Sequence, residues 1–369
     1  MPSNPPNGEW GGEASSVPIG VTPDGRRRRA RSGPLAIRAA VSLSVHFVFL
    51  GLIFGTPASG AAVSTQSWYY GMCDASAAVA LDNNLFAVAN DEDNSIRIYR
   101  AREPGLPVRS FDLSLFLGVE GKRPETDLEG AARLGDRIFW VTSHGRNHEG
   151  KYRRNRHYFF GTTWNEAEMQ LSPVGEPYQD LLQDLLREPR LKRFKLGSAS
   201  KLAPKLPGAL NIEALCGTPD RRLLIGFRNP IPQARALIVP LLNPNDLLAG
   251  KSAHFGDPIL LDLGGLGIRD LGYWQGRYII VAGSFDAQGK SRLFEWTGGK
   301  AKPTPITHAE LKNFNAEAVI VYPDHRWPFQ LLSDDGTLEI DGICCKQLPD
   351  PTQRRFRSVW VTPSKGWFK

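Results

Sequence analysis

The 369-residue chain carries 45 Lys and Arg against 38 Asp and Glu, for a net charge of +7, and is 41% hydrophobic and 10% aromatic. This excludes a disordered chain and is ample for a large core in one big domain or two ordinary ones. Up to Ala62 the chain holds six Arg against Glu9, Glu13 and Asp24, so +3 of the charge lies there; the remaining +4 is weak ground for nucleic-acid binding, and none is expected.

Residues 1–35, rich in Pro, Gly and Ser and carrying RRRRAR (Arg26 to Arg31), have no hydrophobic periodicity and read as a disordered basic leader. Residues 36–62 follow with an apolar core from Ala39 to Phe54 that comes after positive charge and ends in small residues, the pattern of an export signal cut near Gly60 or Ala62. An uncleaved single-pass anchor and a buried helix are the alternatives. Either of the first two puts residues 63–369 outside the cytoplasm, periplasmic, secreted or membrane-anchored, and membrane contact is expected only through this segment.

With 37 Gly and 28 Pro, the folded part has the turn supply of an all-β architecture. Five segments in order open a strand with an acid: CDASAAVAL (Asp74), DLEGAARL (Glu129), NIEALCGT (Glu213), RDLGYW (Asp270) and NAEAVIV (Glu317). A turn follows each, then a second β-rich run (LFAVA, IFWVT, LLIGF, YIIVA, FQLLS), then a polar cluster. The clusters are NDEDN, SHGRN, RNP, GSFD and SDDG. The acids are 55, 84, 57 and 47 residues apart, the size of a four-stranded blade with one excess. The excess, residues 176–209, contains PYQDLLQDLL with helical spacing and reads as an inserted helical segment.

The predicted fold is therefore a β-propeller of about five four-stranded blades. A sixth blade, or one assembled from both termini through STQSWYY and FRSVWVT, is the variant reading, and a β-sandwich is the competing fold. Because the first two strands of a blade are antiparallel, the acid opening one and the cluster ending the other share one rim of the ring. Asp74, Glu129, Glu213, Asp270 and Glu317 are then expected to circle one channel mouth, with Asp91, Glu92, Asp93, Asp127, Arg269, Asp334 and Asp335 beside them.

So many carboxylates repel one another unless protonated, paired with arginine or bound to a hard cation. Arg146, Arg228 and Arg269 are the candidate partners, and calcium or another divalent cation the candidate ion, with the five acids as ligands. DEDN lacks the glycine and distal glutamate of an EF-hand. His144 and His148 have metal-like spacing in a loop, and KYRRNRH, with Arg146 and His144, is either a solvated edge or a holder of an anion such as phosphate. No GxSxG, HExxH or P-loop pattern occurs, and GGLGIRD is followed by a strand and so is no dinucleotide loop. Cys73, Cys216, Cys344 and Cys345 have no zinc-like spacing; export permits disulfides, and four cysteines allow three connectivities.

DASAA with NDEDN, DLEG with SHGRN, NIEAL with GFRNP, GLGIRD and LSDDG together resemble a bacterial propeller-like family known only as a domain of unknown function, over roughly Cys73 to Val361. More distantly, the DLEG and NIEAL strands are similar to esterase-like phytase propellers, a resemblance that implies calcium and phosphate esters. The fourth unit departs from the pattern, having Asp270 in place of glutamate.

Three functions follow as expectations. One is an exported propeller binding a divalent cation and a small anionic or polar ligand. Another is a calcium-dependent phosphate-ester hydrolase in which a metal-bound water attacks, Arg146 and Arg228 clamp the anion and His144 serves as general acid or base. The third is a protein-interaction scaffold using the inserted segment.

Overall fold

The computed structural model describes residues 62–119, 125–306, 311, 313–324 and 328–362. They belong to one compact unit, Pro57–Lys369. The basic leader and all of the expected signal or anchor except Ala62 lie outside the described residues, among which no helix is long and apolar enough to cross a membrane.

Four sheets follow the simplest antiparallel order, each strand pairing with the next in sequence. Blade 1 runs Ala77–Ala80, Leu85–Ala89, Ser95–Arg100 and Arg109–Asp112; blade 2 runs Leu128–Leu134, Arg137–Thr142, Phe159–Asn165 and Gln170–Tyr178. Blade 3 comprises Asn211–Gly217, Leu223–Asn229, Ala236–Leu241 and Ile259–Leu261, and blade 4 Gly267–Trp274, Arg277–Gly283, Arg292–Trp296 and Thr304–Pro305. Blade 5 takes Ala316–Ile320, Phe329–Ser333 and Arg355–Thr362 from the C-terminal part. Its outer positions come from the other end of the chain, where Ala62–Val63 and Ser67–Tyr70 pair with Arg355–Thr362.

The described chain is thus a five-bladed propeller, and the STQSWYY and FRSVWVT strands complete the fifth blade and do not form a sixth. Each inner strand packs on the inner strand of the next blade, and the fifth packs on the first, which closes the ring.

Strand alternation explains the packing. Successive side chains point to opposite faces, so neighbours in one strand serve different inter-blade cores. Phe139 joins Ile212, Leu215 and Phe227 between blades 2 and 3, while Trp140 joins Ala77, Ala87 and Phe160 between blades 1 and 2. Equivalent cores fill the seams between blades 3 and 4 (Ala214, Ile238, Ile268, Ile280), blades 4 and 5 (Trp274, Ile279, Val319, Leu331) and blades 5 and 1. In the last seam Tyr69 stacks on Phe356 at 5.5 Å and meets Phe86 and Tyr99 edge-on at 5.3 and 5.4 Å, so the ring closes on an aromatic cluster drawn from both termini.

The inserted segment starts two to three residues later than its sequence pattern implies, because Tyr178 still pairs with Phe159. It holds a helix at Leu181–Arg187, a 3-10 turn at Pro189–Phe194 and a short helix at Leu196–Ala199. Leu181, Leu185, Leu191 and Leu196 bury themselves in the core between blades 2 and 3. A disulfide joins Cys73, just before blade 1, to Cys345, which follows a small hairpin (Glu339–Ile340 with Ile343–Cys344) inside blade 5; Cys216 and Cys344 are free.

Candidate functional site

The start of each inner strand pairs with the end of the second strand, as Ala77 with Ala89, Asn211 with Asn229, Gly267 with Gly283 and Ala316 with Ser333, so the acids and polar clusters do share one rim. Near that rim, four inner strands each carry a residue with no opposite number in the ladder, a β-bulge that lifts a side chain out and re-aims it; in blade 3 the second strand carries one too, Arg228. On the inner strands the extra residues are Glu129, Glu213, Arg269 and Glu317.

In blade 4 the position equivalent to the glutamates is therefore held by an arginine, and Asp270 stands one residue further on. Its carboxylate accepts N–H bonds from Leu271 and Val319, both at 2.8 Å, which ties blade 4 to blade 5. Asp270 thus does not join the other acids at the mouth; a one-residue step along a strand reverses the side-chain direction.

Arg269 changes the electrostatics of half the ring. Its guanidinium pairs with Glu317 and lies 3.6 Å from Glu213, while Arg228 reaches Glu213 at 2.5 Å and Asn211 donates to the same carboxylate at 2.7 Å. All four charged groups are buried, so two arginines neutralise two glutamates across blades 3, 4 and 5. Gly283 makes this arrangement available, since a Cβ there would fall 2.7 Å from Arg269 Cδ. Further out, Asp335 is clamped by Arg357, Asp93 by Arg97, and Asp127 by Arg156 at 2.7 Å.

The other half lacks such partners. Oxygens of Asp74, Asp91 and Glu92 converge within 4.8 Å of one another. Asp74 hydrogen-bonds Asp334, and burial together with that bond raises its pKa to about 9. Burial opposes the charge on Asp334 as well, yet the bonds from Asp74 and from the Gly336 N–H, at 3.0 Å, hold it below the usual carboxylate range, so one proton sits on Asp74 and bridges the two. The seat of Asp74 depends on Gly336, where a Cβ would fall 1.8 Å from Asp74 Oδ1.

Asp91 Oδ1 is buried without a hydrogen-bond partner among the described residues, and burial, then Asp127 and Asp334, lift the Asp91 pKa to about 8. Glu129 is buried as well, forms no hydrogen bond or ion pair among the described residues, and is pushed well above the usual range by burial and by Glu213, Asp127 and Asp91. Lys346, next to the disulfide in sequence, pairs with Glu92 at 2.7 Å and partly offsets the charge of Asp74 and Asp91, while Arg228 does so for Glu129. From Asp334 the site opens into a cavity of about 420 Å³ between blades 4 and 5, bounded by Ser291, Asn315, Thr337 and Arg357. At the opposite end of the channel a separate cavity of about 690 Å³ is lined by the far ends of all five inner strands, including Val79, Ala132, Leu215, Gly272 and Val319.

His144 and Arg146 do not gather around the unpaired acids, and Arg228 acts on that group only through its charge on Glu129 and Asp334. Arg228 is committed to Glu213 and to the Ser284 carbonyl, and Arg146 to the carbonyls of Ser200 and Gly150. His144 is buried, with Nδ1 2.8 Å from the Thr142 carbonyl, and burial and His157 press its pKa to about 3, so the imidazole is neutral. Sequence reasoning missed Lys346, Asn315 and Arg156 as members of the network. Only Arg156, within the basic run KYRRNRH, carried a signal that could have pointed to it.

Residues 165–324 match the model of a family described as a protein of unknown function (DUF3616). No curated protein sequence matches. Among solved structures, the chain is similar to the PQQ-bound aldose sugar dehydrogenase of Streptomyces coelicolor, with 13% identity and a TM-score of 0.40 over 83% of this chain and 100% of that one. A protein of unknown function from Bacteroides caccae gives 9% identity and a TM-score of 0.33 over 69% and 67% of the two chains. An extracellular domain from B. thetaiotaomicron gives 14% and 0.31 over 71% of this chain, which spans 25% of that domain's length.

Proposed function

We propose that this propeller is exported and binds a divalent cation, calcium by its oxygen-only donor set, at Asp74, Asp91 and Glu92, together with a small polar or anionic ligand in the adjoining cavity at Asp334. The observation that carries the reading is that one oxygen from each of these three carboxylates lies within 4.8 Å of the others, while Asp91 Oδ1 is buried with no hydrogen-bond partner among the described residues. Burying a carboxylate without a partner costs on the order of several kcal/mol, a cost that a bound cation offsets. Glu129, equally unpartnered, adds a further acid to the same electrostatic group.

Without a metal, the raised pKa values of Asp74 and Asp91 mean that protons hold the charge down, so cation binding displaces protons and strengthens as pH rises. Lys346 acts as a tethered competitor for the same acids. Export is supported by the Cys73–Cys345 disulfide, a bond that persists in oxidising compartments. The hydrolase reading gave proton transfer to His144, and the neutral, enclosed ring of His144 argues against that role.

The test is calorimetric titration of the chelator-treated protein with calcium, alongside thermal unfolding. Calcium should bind and raise the midpoint in the wild type, bind more weakly to Asp91→Asn and more tightly to Lys346→Ala. No heat and no midpoint shift in the wild type would refute the cation site.

A further inference from the structure

Another cavity, of about 600 Å³, lies where the inserted segment meets the loop after the second strand of blade 2. Its wall carries Arg146, Lys195 and Lys201, and no carboxylate lines it. Neither lysine has an acidic partner among the described residues. Arg146 is oriented by its bonds to the carbonyls of Ser200 and Gly150, each 3.0 Å long, which use Nε and Nη1 and leave Nη2 without a hydrogen bond. Unlike the acid mouth, this is a concave surface with cations and nothing to neutralise them.

A second observation comes from the cavity wall itself. His157 is 5% exposed, lines the cavity, and has an Nε2 that is buried without a hydrogen-bond partner among the described residues. Burial, then Arg146 and Arg156, press its pKa to about 4, so the imidazole is held neutral beside the cations. Tyr152 packs on His157 with ring centroids 4.9 Å apart and is 58% exposed, and Leu182 and Leu186 supply an apolar wall.

We propose that this cleft is an anion site for a phosphate monoester. The phosphate lies against Arg146, Lys195 and Lys201, and an apolar or ring-bearing body rests on Tyr152, Leu182 and Leu186. Three cations suit a dianion better than a carboxylate, and charge-assisted bonds from a fixed guanidinium recognise phosphate oxygens well. The cavity is far larger than inorganic phosphate, and its apolar wall accounts for the ester's body. The site is independent of the cation reading, since none of its lining residues belongs to the acid mouth.

The experiment is isothermal titration of the full chain at low ionic strength with phenyl phosphate, inorganic phosphate and benzoate. Phenyl phosphate should bind, more tightly than inorganic phosphate, and benzoate weakest. In the double variant Lys195→Asn and Lys201→Gln, chosen because Asn accepts the left-handed backbone at position 195 (φ 53°) and both lysines are exposed, affinity for phenyl phosphate should fall about tenfold or more, with the ligand-free unfolding midpoint unchanged. Tyr152→Ala should remove the advantage of phenyl phosphate over inorganic phosphate. The proposal is overturned if the wild type binds no phosphate, if the double variant binds as tightly as the wild type, or if benzoate matches phenyl phosphate.

Discussion

Arg269, lifted out of its strand by the bulge of blade 4, pairs with Glu317, lifted out by the bulge of blade 5. A charge that looks misplaced within the apolar run NAEAVIV is thereby one end of a buried inter-blade ion pair, and its partner occupies the position where three other blades place glutamate. Removing one end of such a pair leaves an uncompensated buried charge. Arg269→Leu should cost about 3–5 kcal/mol in urea denaturation, whereas the double change with Glu317→Leu should cost distinctly less than the sum of the single ones. Additive losses would show that the two side chains are not coupled.

Gly336 should tolerate no side chain. Gly336→Ala drives a methyl group into the Asp74 carboxyl, so the loss expected is about 1–3 kcal/mol in the same assay. Weakened calcium binding should accompany it. A variant as stable as the wild type would place Asp74 elsewhere.

The pH dependence of the chelated protein follows from the raised carboxyls. Asp74 and Asp91, at about 9 and 8, hold protons in the folded state that the unfolded chain has already released above its ordinary value near 3.9. Their contribution is present at low pH and is lost as pH rises through the folded values, so stability in chelator should fall between pH 7 and 9. The buried His144 and His157 add little slope in that window, since they are neutral in the folded state and the unfolded chain has shed most of its histidine protons by about pH 7. Denaturation at pH 7, 8 and 9 should show the fall in the wild type and a shallower one in Asp74→Asn; a flat wild-type profile would contradict it.

Nuclear magnetic resonance should follow the two enclosed histidines directly. The buried His144 and His157 should stay neutral down to about pH 5. Titration of His157 near 6.5 would remove the enclosed, cationic setting described for it.

Ring closure is open to a direct test as well. Phe356→Ala, at the aromatic cluster joining blades 5 and 1, should cost about 3–5 kcal/mol in chemical denaturation. A loss below 1 kcal/mol would mean that this seam bears little of the fold's stability.

The blade pattern was legible because each unit repeats acid, strand, turn, strand and polar cluster, and antiparallel pairing alone puts the first and last of these on one rim. Asp270 was misplaced among the mouth acids because a bulge shifts the register by one residue without leaving a mark in composition, so the nearest acid in the sequence aligns with the glutamates although Arg269 holds their position. The arginine partners of Glu213 and Glu317 were within view as Arg228 and Arg269, but which acids they satisfy is set by tertiary geometry. Lys346 was invisible for a similar reason. It lies 254 residues from Glu92 and reaches it from the segment held by Cys345.

The bond between Cys73 and Cys345 has a further effect on the molecule's covalent path. The two cysteines are 272 residues apart, and blades 1 to 4, with the inner pair of blade 5, lie between them. A protease that cuts one exposed loop anywhere in that span leaves two fragments still joined through sulfur, each clasped in the ring by its neighbours. On a non-reducing gel the nicked protein should run as a single species and come apart only after reduction, so damage in a harsh environment need not mean disassembly.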